Sequence, residues 1–310
     1  GDVRLSVDQA EVACDSAWRY PDGAFRLMGR VEAVDGSVRM TGDVFELDPE
    51  AGIGVMSGSE VKVVDSTDSQ NPRTLSTEKT TYAFREGVAT YGGGGVVTTS
   101  RERIGSQSGT FFRDERRLRF EGGVLMTVDT LSVQSDQVIY FPDDRFLAFP
   151  MPAVVRHPQG GVSGSRGQWS MDAGQGWFAG TDSEPAQFFD GDLVVVGDSL
   201  VMGDSLGLAF GSVAIRDTST RYRLLADTAR FGPMEAARDT SRHIRLRGSA
   251  SAWIKDGDAP LEVRGPELDI LDGDGGRELT ASKGAALHFE ALTAAANQLV
   301  WNERYGRVDL

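Results

Sequence analysis

The segment Met40-Thr41-Gly42-Asp43-Val44-Phe45-Glu46-Leu47 contains the pattern that decides the fold of this chain. Counted from 0 to 7, it has an apolar residue at position 0, a small residue and an acid at positions 2 and 3, and a large apolar residue at position 7. Ten copies of this eight-residue phrase begin at Leu5, Met40, Leu75, Ile104, Val133, Val162, Val195, Leu224, Val263 and Ala294. Successive copies begin 29 to 39 residues apart. Repeat lengths in this range are typical of stacked repeats, in which each unit buries its apolar face against its neighbours.

The second half of each phrase alternates between polar and apolar residues. Its position-7 residues are Val12, Leu47, Tyr82, Phe111, Tyr140, Trp169, Met202, Phe231, Ile270 and Trp301. Alternation with a period of two predicts a half-buried strand. Position 0 has the opposite parity, so both ends of the phrase can face one interior only if the strand bends or bulges between them. We expect this crease at positions 2 and 3.

A second alternating strand follows each phrase, often with a glycine near its centre, as in Leu118–Val124 and Ile244–Gly248. Turn signals such as Tyr20-Pro21-Asp22-Gly23 separate the strands. Two strands per repeat predict an all-β fold of about twenty strands in a single elongated domain, residues 1–310. One helical turn is possible at Met234–Arg238.

Nothing in the sequence points to a catalytic or metal site. The acids at position 3 are predicted to cap backbone amides at the crease; they are Asp8, Asp43, Asp136, Asp198 and Asp227. His157, His243 and His288 share no metal-ligand spacing. Gly92–Gly95 is not followed by the Lys-Ser/Thr pair of a phosphate loop. The sequence therefore predicts no enzyme, no cofactor and no metal.

Charge and composition exclude further classes. The formal net charge of −14 argues against a nucleic-acid partner. Cys14 is the only cysteine, so the chain cannot form an internal disulfide. No run approaches the 18 or so apolar residues of a membrane-spanning helix. A signal peptide is not present in this numbering, which begins at Gly1-Asp2-Val3.

The phrase resembles the repeat of the OstA-like family, the periplasmic lipopolysaccharide-transport proteins that include the LptA and LptC types. That repeat resembles L-x-A-D-x-A-x-Y, a turn, and then A-x-x-x-G-x-V. Leu224–Phe231 and Met40–Leu47 are close to it, and the G-x-P-A-x-F variant of the family is similar to Phe149–Val154 and Glu184–Phe188. The resemblance covers nearly the whole chain.

The resemblance implies a β-jellyroll, or folded β-taco, whose solenoid-like trough shelters lipid acyl chains. It implies a non-enzymatic carrier or bridge in the periplasm or cell envelope that moves lipopolysaccharide or a similar lipid toward the outer membrane. Its partners would be the lipid and other jellyroll modules, joined through the end strands. A polysaccharide-binding or polysaccharide-degrading β-solenoid and a purely structural repeat protein are the alternatives.

Apolar residues at inward positions are the candidates for lining such a trough. They are Leu47, Tyr82, Phe111, Phe120, Tyr140, Phe149, Trp169, Met202, Phe210, Phe231, Ile270 and Trp301. The same residues are equally suited to fill the core of a narrow solenoid, so groove and core both stay open at this point.

Overall fold

The computed structural model describes residues 3–7, 10–158, 160–203, 206–217, 222–233, 242–256, 259–273 and 276–310. Strands make up 78% of the structure, and every described strand pairing whose register is resolved is antiparallel. The described residues contain one short 3-10 helix, Glu303–Tyr305. The all-β prediction is therefore confirmed, and the predicted helical turn at Met234–Arg238 lies outside the described residues.

The chain forms two compact units, Gly1–Val155 and Arg156–Leu310. The strands of the first unit are β1 (Val3–Val7), β2 (Ala10–Cys14), β3 (Ser16–Arg19), β4 (Phe25–Asp35), β5 (Val38–Asp48), β6 (Ile53–Asp65), β7 (Arg73–Ala83), β8 (Val88–Thr98), β9 (Glu102–Phe112), β10 (Arg117–Val128), β11 (Leu131–Phe141) and β12 (Phe146–Phe149). Strand β13 (Ala153–His157) includes the boundary.

The second unit continues the same pattern. Its strands are β14 (Gly160–Gly164), β15 (Arg166–Ser170), β16 (Gln175–Ala179), β17 (Ala186–Asp190), β18 (Leu193–Gly197), β19 (Ser199–Met202), β20 (Gly207–Asp217), β21 (Tyr222–Pro233), β22 (Arg242–Asp256), β23 (Ala259–Gly273), β24 (Gly276–Phe289), β25 (Leu292–Asn302) and β26 (Arg307–Asp309). The strands outnumber the predicted twenty because several phrases, such as β18 and β19, break into two strands at the crease. That residues 1–310 form a single elongated domain stays a prediction.

Each long strand is creased where the sequence predicts it. Strand β4 pairs with β5 in two stretches, and the register shifts between Met28 and Val31. At the shift, Gly29 and Arg30 oppose the single residue Asp43, which is position 3 of the phrase. A bulge of two residues against one bends the strand and increases its twist. The crease divides each long strand into two arms. In β5 and the other strands that contain an eight-residue phrase, we call the arm before the crease the first limb and the arm after it the second limb.

The companion strand supplies the left-handed residues that the bulge requires. Gly29 and Arg30 have φ values of 75° and 44°, and Gly211 and Ser212 have 68° and 46°. Positive φ costs little for glycine, which has no Cβ. This requirement explains the glycine that the sequence places near the centre of each companion strand.

The position-3 acids hold the crease in part as predicted. The Asp43 carboxylate accepts a hydrogen bond from the Ser59 amide at 2.8 Å, and the Asp227 carboxylate accepts one from the Ser249 amide at 3.1 Å. A Cβ added to Gly248 would lie 2.1 Å from Asp227 Oδ2, so the carboxylate occupies the space above this glycine. Asp8 lies outside the described residues.

Two glycines with the same φ provide a test of this arrangement. Gly248 and Gly284 both have φ of 96°, but a Cβ on Gly284 meets no atom within 4 Å. We expect Gly284→Ala to lower the free energy of unfolding by about 1–2 kcal/mol through left-handed backbone strain alone. Gly248→Ala should cost about 1 kcal/mol more, because it also displaces the Asp227 cap. Urea unfolding of both variants measures the difference, and equal losses would contradict the capping role.

Candidate functional site: the apolar interior and its rim

The inward residues of both limbs form an apolar interior in each unit. Ten of the twelve candidate residues are buried, with at most 8% of their surface exposed: Leu47, Tyr82, Phe120, Tyr140, Phe149, Trp169, Met202, Phe231, Ile270 and Trp301. Position-0 residues such as Met40 and Val263 are fully buried as well. The apolar residues at position 0 and at position 7 therefore face the same interior, which the crease between them makes possible.

Inward glycines let the large side chains fill this interior. A Cβ on Gly207 would lie 2.3 Å from the Phe231 ring, and a Cβ on Gly176 would lie 2.3 Å from the Trp169 ring. Each ring thus occupies the volume that a side chain on the neighbouring strand would need. At these positions the interior is closed and tightly packed.

Two of the candidate residues lie elsewhere. Phe210 is 40% exposed, so its predicted inward position is wrong. The inward residues of this part of β20 are Gly207 and Ala209, and Phe210 alternates with them, so it faces outward. Phe111 is half-buried and lines a cleft described below.

In the first unit, the two limbs meet at their far ends through a buried hydrogen-bonded group. Asp35 ends the limb of β4 that pairs with the first limb of β5, whereas Tyr82 lies in the second limb of β7 and Arg113 follows the end of β9. The Tyr82 hydroxyl donates to Asp35 Oδ2 at 2.8 Å, and Arg113 Nη1 donates to the same oxygen at 2.8 Å. Burial, and then the Asp35 carboxylate, raise the pKa of Tyr82 well above its usual value. We call the edge where the limb ends meet the rim, and this group the Asp35 latch.

A second latch lies further along the same rim. Glu102, at the start of β9, accepts a hydrogen bond from the Tyr140 hydroxyl and is 3.5 Å from Arg73 Nη2. The Glu102 side chain is only 6% exposed and that of Arg73 is 16% exposed. Burial, and then Glu102, raise the pKa of Tyr140. Nearby, Arg145 Nη2 donates to Asp129 at 2.6 Å and joins the turns that end the two limbs.

The second unit closes its rim in the same manner. The Arg277 guanidinium, 5% exposed, lies 5.4 Å from the centre of the Tyr222 ring and 3.0 Å from Glu303. Arg242 Nη2 lies 3.2 Å from Asp190 Oδ2. Burial is the main reason that the pKa values of Tyr222 and Asp272 are raised.

The crease and the rim therefore close the interior by different means. At the crease the backbone is continuous, whereas the latches that join the rim are side-chain hydrogen bonds, ion pairs and ring contacts. Sequence reasoning missed the latches, because Asp35 and Arg113 are 78 residues apart and belong to no common motif. The only local signal was the tyrosine at position 7 in the copies that contain Tyr82 and Tyr140.

A cleft of about 690 Å³ opens at the rim of the first unit, between the two latches. Residues of both limbs line it, among them Arg73 and Arg101 on one side and Arg113 and Arg117 on the other. The buried residues Val38 and Leu118 form part of its floor, together with Phe111.

The first 141 residues match a known family. Residues 1–141 match the family model described as OstA-like protein. No curated protein matches the chain. In the described part of the chain, no helix is long and apolar enough to cross a membrane.

The crystal structure of LptH, the LptA homologous periplasmic component of the conserved lipopolysaccharide transport device from Pseudomonas aeruginosa, is similar to part of this chain. The two are 12% identical, with a TM-score of 0.36, over 39% of this chain and 94% of that chain. Residues 1–141 of this chain are similar to the OstA-like family, the family whose repeat its eight-residue phrase resembles.

Proposed function

We propose that this chain is a non-enzymatic lipid carrier or bridge of the cell envelope, on the periplasmic side. Its interior shelters the acyl chains of lipopolysaccharide or a similar lipid on the way to the outer membrane. The observation that carries the proposal is an apolar interior whose rim is held by side chains, combined with the OstA-like match over residues 1–141. Such a rim can open without breaking the strand ladders.

The energies are of the right size for a lipid to open the rim. Burying an acyl chain contributes about 0.8 kcal/mol per methylene, so a chain of a dozen carbons supplies roughly 10 kcal/mol. A hydrogen bond to a charged group contributes about 1.5–3 kcal/mol. The burial of one or two acyl chains would therefore offset the free energy lost when the contacts at Asp35, Glu102 and Asp129 break. The aromatic side chains that move aside would lose contacts with each other and gain contacts with the lipid.

The end strands are the proposed sites for joining other jellyroll modules. Within the described residues, β1 pairs with β2, and β26 covers only Val300–Asn302 of β25 on the side away from β24. Unpaired backbone groups of an edge strand can accept a strand from another chain. This partner stays a prediction.

Photo-crosslinking from the interior tests the carrier proposal. We expect a benzophenone side chain at Phe120, which is fully buried, to label a lipid A-like amphiphile, because the acyl chains must lie beside it. The same group at Arg119, the exposed neighbour on β10, is the matched control and should stay unlabelled. Equal labelling at both positions, or labelling by a soluble oligosaccharide instead, would favour the polysaccharide-binding alternative.

Stapling the rim tests the route. In a Cys14→Ala background, Asp35→Cys and Arg113→Cys joined by a short bismaleimide would hold the limbs together where the Asp35 latch stands. Labelling at Phe120 should then fall to background. A staple between Glu32→Cys and Arg39→Cys, an exposed pair on adjacent strands of one limb, should leave labelling unchanged. Unchanged labelling with the rim staple would show that the lipid does not enter through this rim.

A further inference from the structure

An apolar surface covers the outside of the first limbs in the second unit. Strands β17, β18, β20, β21 and β22 are neighbours there, and their outward side chains alternate with buried ones such as Val195 and Leu224. The outward apolar side chains are half-buried: Phe189, Val194, Val196, Ala214, Leu225 and Trp253. We call this surface, together with the two arginines in its middle, the Arg216 face.

Two exposed arginines lie side by side on this face. Arg216 on β20 pairs directly with Arg223 on β21. Like charges directly opposite each other on neighbouring strands destabilise a sheet. Neither guanidinium has an ion-pair partner among the described residues, and Arg223 lies 5.9 Å from the centre of the Trp253 ring. The chain therefore keeps an unfavourable pair that its own described carboxylates do not neutralise.

The acids near the pair are placed or engaged elsewhere. Glu262 on β23 is 2.6 Å from Arg264. Asp217 alternates with Arg216 along β20, so it lies on the opposite side of the strand. Asp192 is in the turn between β17 and β18 and has an interaction of its own. The two guanidinium groups are thus left to accept carboxylates from outside the chain.

Outward arginines on the other arm of β22 are paired, in contrast. Arg245 Nε lies 2.7 Å from Asp269, and Arg247 Nε lies 3.3 Å from Glu267. Cross-strand pairs of opposite charge of this kind stabilise a sheet. The unpaired arginines of the Arg216 face are therefore not the general rule for the outside of this unit.

The spacing of the face fits an extended peptide. Phe189, Val194, Arg216, Arg223 and Trp253 form one row across five strands, which at about 4.8 Å per strand is about 19 Å long. An extended segment shows every second side chain on one side, about 6.8 Å apart, so four side chains of seven residues cover about 20 Å. The outer two would meet the aromatic ends of the row, and the central two would meet the arginines. A carboxylate accepts two parallel hydrogen bonds from a guanidinium group.

Charge favours a short acidic segment over a membrane surface. The formal net charge of −14 repels an anionic bilayer. Membranes attract proteins through clusters of about four to eight basic residues, and this row contains two. A peptide that lies on the face interacts mainly with charges within about 8 Å, because salt screens the rest.

We propose that the Arg216 face binds an extended acidic segment of a partner protein, with carboxylates on Arg216 and Arg223 and apolar side chains on Phe189 and Trp253. The face is on the outside of the sheet, away from the interior. The inference therefore goes beyond lipid carriage and does not depend on it.

Fluorescence polarisation with labelled peptides tests the inference on the intact chain. The acidic probe is Phe-Thr-Glu-Thr-Glu-Thr-Leu, and the neutral probe has glutamine in place of both glutamates. The face variant is Arg216→Gln/Arg223→Gln. The control variant is Arg245→Gln/Arg247→Gln, which removes the same charge from the other arm and leaves His243 and Lys283 beside the two acids. Vesicles that contain phosphatidylglycerol test the membrane alternative.

We expect the acidic probe to bind the unaltered chain about tenfold more tightly than the neutral probe, since two charge-assisted contacts are gained. The face variant should lose this preference and the control variant should keep it. Equal binding of the two probes to the unaltered chain, or an equal loss in both variants, would overturn the inference. Vesicle binding that only the face variant loses, without a preference for the acidic probe, would assign the face to a membrane instead.

Arg216→Glu separates binding from a structural role of the pair. It replaces a repulsive cross-strand pair by an attractive one, so the urea midpoint should rise while the preference for the acidic probe is lost. A lower midpoint with unchanged probe binding would show that the arginine pair supports the fold and does not bind a ligand.

Discussion

Phe231→Ala is expected to lower the free energy of unfolding by about 3–5 kcal/mol, the range for truncating a fully packed phenylalanine. Phe231 is 2% exposed, and its ring centre lies 5.2 Å from that of Phe188. No side chain on Gly207 can move into the vacated space. Urea unfolding measures the loss.

Phe210→Ala is the matched control for this truncation. It deletes the same atoms on the adjacent strand β20, but Phe210 is 40% exposed, so the loss should stay below about 1.5 kcal/mol. The comparison separates a packed core from an open groove. A loss below about 1 kcal/mol for Phe231→Ala would show that its side chain lines an open space in solution.

Arg73→Met is expected to cost about 3 kcal/mol, because it leaves the Glu102 carboxylate buried without its cationic partner. The Glu102 side chain is 6% exposed, and the Tyr140 hydroxyl, which also binds it, is neutral and cannot replace the lost positive charge. The double variant Arg73→Met/Glu102→Gln should recover most of the loss, since an amide is cheaper to bury than a charge.

The control for the Glu102 latch is an exposed ion pair. Arg39 and Glu32 lie 2.6 Å apart with side chains 61% and 40% exposed, so Arg39→Met should change stability by less than about 1 kcal/mol. Unfolding curves of the unaltered chain, Arg73→Met, Glu102→Gln and the double variant give the coupling energy between Arg73 and Glu102. If Arg73→Met costs no more than Arg39→Met, the latch does not hold the rim.

These two predictions together define a resting state in which the interior is packed and the rim is latched. The same features set the requirements for a lipid carrier. In the proposed carrier, a packed interior would protect the apolar side chains while no lipid is bound, and a rim closed by a few polar contacts would give the lipid a place to enter. Acyl burial would then supply the free energy of opening.

The sequence by itself determined the strand content, the crease and most of the inward series. Side chains alternate strictly along a strand, so the apolar residues at positions 0 and 7 revealed both the buried face and the bend between them. Tyr82, Tyr140 and Phe231 follow this local rule, and their burial was predicted correctly. The acid at position 3 marked the bulge because its carboxylate caps an amide there, as Asp43 does.

Only the tertiary structure decided the rim. The contact of Asp35 with Arg113, and the meeting of arginines from both limbs at one cleft, depend on how several successive strands are offset at their bulges. Each bulge shifts the register by a residue or more, and the shifts accumulate between residues far apart in the chain. Alternation is a property of one strand, whereas contacts across the rim are a property of the whole stack.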